Sequence, residues 1–390
     1  MTKSHSTPDP SRDQLPIVKR LAFSAIVALL PLFILVGIEL GVRLVMKPIP
    51  SLELLVVTPE QKTEVAKGKE SPIFEGDPLL LWRLRPGLDR AYWDYTSVST
   101  NAQGFRAESS DRSISAKRSD MIRIVCLGDS VTFGFRTPLT YPSDPSIFDP
   151  AWVPYPMLLE RELRRANPGK KIEVITMAVP GYSSTQGRLW FEREIDRLRP
   201  DFVTVSFGWN DASRTQLPDR EVLTLDSRIY LNRWLIVHSQ VYAHWSSWML
   251  EREREKVRLS GVPPPAPHYE SRTSTAEYLD NMSTIVRLAA ERGIPHLILA
   301  APFRDNVENG EDAQRMLQNR LALGQLMNGN GTPFLEIAAL TESNYPSNSE
   351  YFGERIHPSH TGHRLIASEI LKTIASRNLF PDLSIEPMRP

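Results

Sequence analysis

Hydrophobic positions follow two regimes along the chain. Near the N-terminus, residues 21–38 hold no charged side chain, and the apolar run resumes after Glu39 as far as Met46. That length suits a helix crossing a bilayer. Beyond residue 120 the apolar positions come in short runs separated by amphipathic stretches. The runs at 122–127, 172–177, 202–207, 297–301 and 334–337 have the length of strands, and the first is broken only by Arg123. The segments 156–166, 186–198, 279–292, 313–327 and 361–376 have helical periodicity, with Gly293 placed to cap the third. Strands alternating with helices predict a parallel sheet covered on both faces.

Two regions depart from this rhythm. Residues 48–120 are mixed, with an aromatic patch at Tyr92, Trp93 and Tyr95 and a turn-like NAQGFR at 101–106. Residues 107–120 are polar, without apolar periodicity, and read as a linker. The second region is 213–276. Residues 229–257 predict one long aromatic-rich helix carrying Trp234, Tyr242, Trp245 and Trp248. The charged run ERERE follows at 251–255, then a proline-rich stretch at 262–267. Connections of this length are usually functional or mobile. Two readings stand: a surface helix packed on the sheet, or a lid or cap over substrate. The expected layout is a leader (1–18), a transmembrane signal-anchor (19–46), a juxtamembrane extension and linker (47–120), a catalytic domain (121–378) with the insertion 213–276, and a tail (379–390).

Charge sets the expected orientation of the apolar run. Lys19 and Arg20 precede it, which keeps the leader in the cytoplasm and the rest of the chain outside; Arg43 and Lys47 beyond the run weaken the asymmetry. The competing reading is a cleaved signal peptide. Against it, the run is longer than a usual signal core and lacks an A-x-A-like site. Over its 390 residues the chain balances 46 basic against 46 acidic side chains, which offers no general pull toward nucleic acid. The single cysteine, Cys126, excludes an intrachain disulfide and any zinc site with several cysteine ligands. It sits in an apolar run and reads as a buried structural thiol.

Candidate chemistry gathers at the ends of the predicted strands. Gly128-Asp129-Ser130 follows the first. In open parallel sheets ligands bind beyond the carboxyl ends of strands, so this serine is expected at the rim. Gly181 follows the second strand, in Val-Pro-Gly-Tyr-Ser-Ser, and Gly208-Trp209-Asn210-Asp211 follows the third. Glycine lets a backbone approach a ligand, and an asparagine amide can donate to a developing oxyanion. Each of these is also an ordinary turn sequence. Before the last helix comes Glu354-Arg355-Ile356-His357-Pro358. A histidine there can take a hydroxyl proton and return it to a leaving group, with a carboxylate three residues earlier to orient its ring. His360 and His363 continue at steps of three, but no carboxylate cluster completes a metal site; no metal or cofactor is expected.

These elements, in this order, resemble the SGNH (GDSL-like) hydrolase family. The resemblance covers about residues 121–378. Gly128, Asp129 and Ser130 match the first block, Gly181 the second-block glycine, and Gly208, Asn210 and Asp211 the third block. Glu354 and His357 match the fifth block, with glutamate where the family has aspartate. The stretch 81–106, with WRLRPG and NAQGFR, resembles the N-terminal extension of membrane-anchored bacterial members. The resemblance implies a flavodoxin-like three-layer α/β sandwich with a central parallel sheet, here behind one transmembrane helix. It implies ester hydrolysis through an acyl-enzyme, with Ser130 as nucleophile, His357 as base and Glu354 as the orienting acid. The oxyanion hole would be the Ser130 and Gly181 backbone N–H groups and the Asn210 side chain.

The expected function is an extracytoplasmic serine esterase, with the acyl group carried on an envelope or exported glycan. An acyltransferase would use the same residues with a sugar hydroxyl in place of water. A non-catalytic scaffold or glycan-binding protein on this fold is the third reading. The expected partners are an acyl ester and the membrane; no nucleic acid is expected.

Overall fold

The computed structural model describes residues 17–56, 73–139, 151–261, 266, 268–301, 310–337, 351–353 and 356–388. They divide into two compact units, one of Met1–Ile49 with Leu235–Gly261, the other of Pro50–Trp234 with Val262–Pro390.

Helix α1 (Ile17–Val45) opens the described chain. Strands β1 (Phe74–Asp77), β2 (Leu81–Leu84), β3 (Ala91–Trp93), β4 (Thr96–Thr100) and β5 (Arg106–Ala107) follow. Then come β6 (Met121–Gly128), α2 (Tyr155–Ala166), β7 (Lys171–Ala178), α3 (Ser184–Leu198) and β8 (Phe202–Ser206). The insertion holds β9 (Arg214–Thr215), α4 (Ser227–His238), α5 (Gln240–Ser260) and β10 (Glu270–Ser271). The chain continues with α6 (Thr275–Glu291), β11 (His296–Leu299), α7 (Glu311–Gly329), β12 (Phe334–Leu335) and α8 (His360–Ser376).

The main sheet has the order β12-β11-β8-β6-β7-β5-β4-β3. Its first five strands run parallel, as the alternating pattern predicts. Strand β6 lies centrally and is buried on both faces, which is why its sequence is a nearly continuous apolar run. Its side chains alternate between two cores. Val125 and Leu127 join the core built with Leu189 and Ile195 of α3 and Met282 and Ile285 of α6. Ile124 and Cys126 join the core built with Leu159 and Leu163 of α2 and Ile366 and Ile370 of α8. Helices therefore cover both faces, giving three layers. Burial pushes the Cys126 thiol up to about 12, so it is an inert core group.

Arg123, the one charged residue in the β6 run, is fully buried. Its guanidinium donates to Glu173 at 2.6 Å, to the Leu198 carbonyl at 2.6 Å and to the Ser115 carbonyl at 2.8 Å. It satisfies the carbonyl at the end of α3 and one in the segment before β6, and its own charge is offset by Glu173. A buried cation is stable here because each of its three nitrogens meets an acceptor and Glu173 offsets its charge.

The sheet is mixed rather than wholly parallel. Strands β3, β4 and β5 extend it antiparallel beyond β7, with Arg106 opposite Thr176. Residues 91–107, read from sequence as part of an extension outside the domain, thus belong to the sheet itself. Their strands are three, five and two residues long, too short for a period-two pattern to register. The expected tail also contributes: Leu383 is buried, and the Ser384 N–H donates to Asn167 at 2.7 Å.

The single long helix expected at 229–257 is two helices. The break falls at Ser239, whose side chain accepts from the Tyr242 N–H at 3.1 Å and caps α5. Glu39 of α1 accepts from the Ser239 hydroxyl at 2.8 Å and from the Gln240 N–H at 2.8 Å. A serine and a carboxylate on a helix N-terminus outweigh the helical periodicity through this point. In the structure α5 belongs with α1 in one compact unit.

Candidate active site

The nucleophile candidate is placed by a sharp strand-to-helix turn. Strand β6 ends at Gly128, where a Cβ would stand 2.1 Å from the Thr132 hydroxyl and 2.8 Å from the Ser206 carbonyl. Only glycine fits that approach. Asp129 then caps a one-turn helix, Ser130–Phe133, accepting from the Val131 N–H at 2.9 Å. Ser130 is the first residue of that turn and is 7% exposed, at the carboxyl end of the sheet.

Arg106, from the NAQGFR stretch, fixes the segment just after that turn. Its buried guanidinium donates to the carbonyls of Phe133, Gly134 and Thr137 and lies over the Phe133 ring at 4.1 Å. Burial pulls its pKa down to about 9, still far above neutrality. The β5 strand therefore delivers the side chain that holds the end of the Ser130 turn and the segment after it.

His357 comes from the other end of the chain. Its loop is closed on itself: Gly353 N–H donates to the His357 carbonyl at 3.0 Å, and Ser359 N–H to the Tyr351 carbonyl at 2.8 Å. Ser359 also caps α8, accepting from Gly362 N–H at 3.2 Å. The His357 ring packs against Phe135 with centroids 4.4 Å apart. Its Nε2 lies 2.8 Å from Ser130 Oγ. That is hydrogen-bonding distance for a nucleophile and its base. The neighbouring histidines do other things. His360 stacks on Trp152 at 5.7 Å. His363 is buried, its Nδ1 accepting from Tyr155 N–H at 3.3 Å, and burial pulls it down to about 3. Glu354 lies outside the described residues.

Gly181 and Asn210 stand on the turns after β7 and β8. Gly181 has φ +80, in the region that favours glycine. Asn210 sits in a one-turn helix, Trp209–Ala212. Its Nδ2 donates to the Tyr182 carbonyl at 2.9 Å and lies 3.4 Å from Asp129 Oδ2. The three turns carrying Ser130, Gly181 and Asn210 are thus joined side by side.

Buried polar groups lock these turns. Asp211 accepts from Ser184 N–H at 3.0 Å, the Ser184 hydroxyl at 2.6 Å and the Thr273 hydroxyl at 2.9 Å. Burial raises its pKa to about 6, against those hydrogen bonds. Arg272 donates to the Gly181 carbonyl, to Gln186 Oε1, and to Asp219 Oδ1 at 2.7 Å. It lies over the Trp82 ring at 5.7 Å. A cavity of about 390 Å³ adjoins His357, lined among the described residues by Tyr95, Phe135, Arg136, Trp152 and His360.

Several of these residues carried no signal in the sequence. Arg272 and Arg136 are two of 46 basic residues, and neither stands in a recognisable spacing with its partners; Arg106 lay in the NAQGFR stretch, but its buried task was not visible there. Asp211 was visible as part of Gly-Trp-Asn-Asp, but its task as a buried acceptor between two loops was not.

Residues 126–365, more than half of the chain, match the GDSL-like Lipase/Acylhydrolase family. No curated protein matches the chain. Among solved structures, it is similar to a lipase/acylhydrolase from Enterococcus faecalis, with 18% identity over 69% of this chain and 100% of that one, at a TM-score of 0.42. It is also similar to an acetylxylan esterase from Geobacillus stearothermophilus, with 16% identity over 65% of this chain and 94% of that one, at a TM-score of 0.40. The chain belongs to the GDSL-like lipase/acylhydrolase family, hydrolases that act on esters.

Proposed function

We propose that the protein is a serine esterase that works through an acyl-enzyme, and that the ester is an acyl group on an envelope or exported glycan. The observation that carries the mechanism is the 2.8 Å contact between Ser130 Oγ and His357 Nε2. His357 accepts the hydroxyl proton as Ser130 Oγ attacks the carbonyl carbon. The tetrahedral oxyanion is met by the Ser130 and Gly181 backbone N–H groups and the Asn210 amide. Collapse breaks the ester C–O bond, and His357 returns its proton to the leaving alcohol. Water then attacks the acyl-enzyme with His357 again as base, which releases the acid and restores the serine.

The glycan part rests on the cavity beside His357. Tyr95 and Trp152 present aromatic rings there, a surface suited to the apolar faces of sugar rings. The location rests on α1. Residues Leu21–Val45 form one helix long and apolar enough to cross a membrane. In this proposal α1 is an uncleaved anchor with Lys19 and Arg20 on the cytoplasmic side, and the catalytic domain lies outside the cytoplasm.

Replacing the nucleophile tests the mechanism. Ser130→Ala should lower kcat for an activated ester by roughly 10⁴- to 10⁶-fold while the circular dichroism spectrum stays unchanged. Turnover near the wild-type rate would end the proposal.

Arg272 is proposed as a positioning residue that orients the Gly181 peptide through its carbonyl. Arg272→Met should reduce kcat by up to about a hundredfold with KM little changed, because the misplaced donor matters in the transition state. Arg272→Lys, which keeps the charge beside Asp219, should recover part of the loss. A rise in KM with kcat intact would mean that Arg272 serves substrate binding instead.

Glu354 is proposed to orient the His357 ring through Nδ1. Glu354→Gln should then lower kcat strongly, since an amide can favour the wrong tautomer, whereas Glu354→Asp should keep or raise it. A silent Glu354→Gln variant would leave a Ser130–His357 dyad.

A further inference from the structure

The unit formed by α1 and α5 has features that ester hydrolysis does not use. The uncharged stretch of α1, from Leu21 to Ile38, spans 18 residues. At 1.5 Å per residue it is about 27 Å long, close to the thickness of the hydrocarbon core. Glu39 is the next residue, so it marks the level at which the apolar span ends. There its carboxylate receives the N-terminus of α5. It accepts from the Ser239 hydroxyl and the Gln240 N–H, both at 2.8 Å, and from the Val241 N–H at 3.2 Å. Arg43 donates to Glu39 at 2.7 Å and to the His238 carbonyl at 2.9 Å. Gln240 and Ile49 exchange two further hydrogen bonds, of 2.9 and 3.3 Å. Helix α5 therefore starts at the level where the span of α1 meets the headgroups.

The first half of α5 has a composition suited to that level. From Gln240 to Leu250 there is no Asp, Glu, Lys or Arg, and the next eight residues, 251–258, contain seven of them. Trp245, Trp248, Met249 and Leu250 are exposed, the tryptophans by about half. Tyr242 packs at a tilt against Trp245 with ring centroids 5.2 Å apart, and Arg252 lies over Trp248 at 4.7 Å. Tryptophan and tyrosine beside arginine are the side chains that favour the membrane–water interface. Seven charges in 251–258, four basic and three acidic, leave a net of only +1, so attraction to anionic lipid is not the main force.

We propose that residues 240–250 of α5 lie in the headgroup–acyl boundary of a phospholipid bilayer and form a second membrane contact beside α1. Glu39 is the latch that fixes this segment at the correct depth. The charged second half of α5 continues into water. The proposal rests on the reading of α1 as a membrane anchor.

Spin labelling of the full chain in phosphatidylcholine nanodiscs tests it. Cys126 is buried, so nitroxides can be placed on single added cysteines at Leu29, Trp245, Trp248 and Glu253. Power saturation with oxygen and a water-soluble nickel complex then reads the depth of each. The labels at 245 and 248 should sit about 5–10 Å inside the boundary, with oxygen favoured over nickel. The label at 253 should be open to nickel, and the label at 29 deep. Glu39→Ala should raise nickel access at 245 severalfold while leaving 29 unchanged, and Glu39→Asp should restore part of the protection. Labels at 245 and 248 as open to nickel as 253, with 29 still deep, would overturn the proposal and leave the anchor intact. So would labels at 245 and 248 shielded from both reagents, which would mean that protein covers the tryptophans. A label at 29 exposed to nickel would remove the anchor, and the proposal with it.

Discussion

The site depends on one contact, the 2.8 Å hydrogen bond between Ser130 and His357, whose partners are 227 residues apart in the chain. A contact of this kind has geometric value only if both sides are rigid to a fraction of an ångström. The parallel sheet solves half of the problem, because it brings the ends of β6, β7 and β8 to one edge. The backbone bonds of Gly353 to His357 and of Ser359 to Tyr351, with Ser359 capping α8, solve the other half.

The remaining rigidity comes from buried charge. Turns at a sheet edge expose carbonyls and N–H groups that have no ladder partner. Arg106 takes up the carbonyls behind the Ser130 turn, Arg272 takes up the Gly181 carbonyl, and Asp211 collects the donors of Ser184 and Thr273. For Arg106 and Asp211 the desolvation cost is visible in a lowered and a raised pKa respectively. Each is tolerated because it makes several hydrogen bonds where it is buried. Such groups cost more to break than they contribute as pairs.

Much of this architecture was legible in the sequence. The strand–helix alternation located the five parallel strands and the helices between them to within a few residues, because buried parallel strands are continuous apolar runs. The ends of those strands marked Ser130, Gly181 and Asn210, and the structure brings their turns together. Other features were hidden for physical reasons. The short antiparallel strands at 91–107 bury too few residues to show a period. The break at Ser239 depends on Glu39, 200 residues away, which no local window contains. Long-range pairings of single arginines with carbonyls leave no pattern, because a carbonyl has no sequence identity.

Covalent catalysis at Ser130 is the chemistry that this geometry supports, and the acyl intermediate itself is its most direct witness. Rapid-quench reaction of the purified full chain with p-nitrophenyl acetate, with peptide mass spectrometry of the quenched protein, would detect it. The expected result is a burst of nitrophenol with an acetyl group on the peptide that contains Ser130. Steady turnover with an acetyl group on another residue, or on none at early times, would contradict covalent catalysis at this serine.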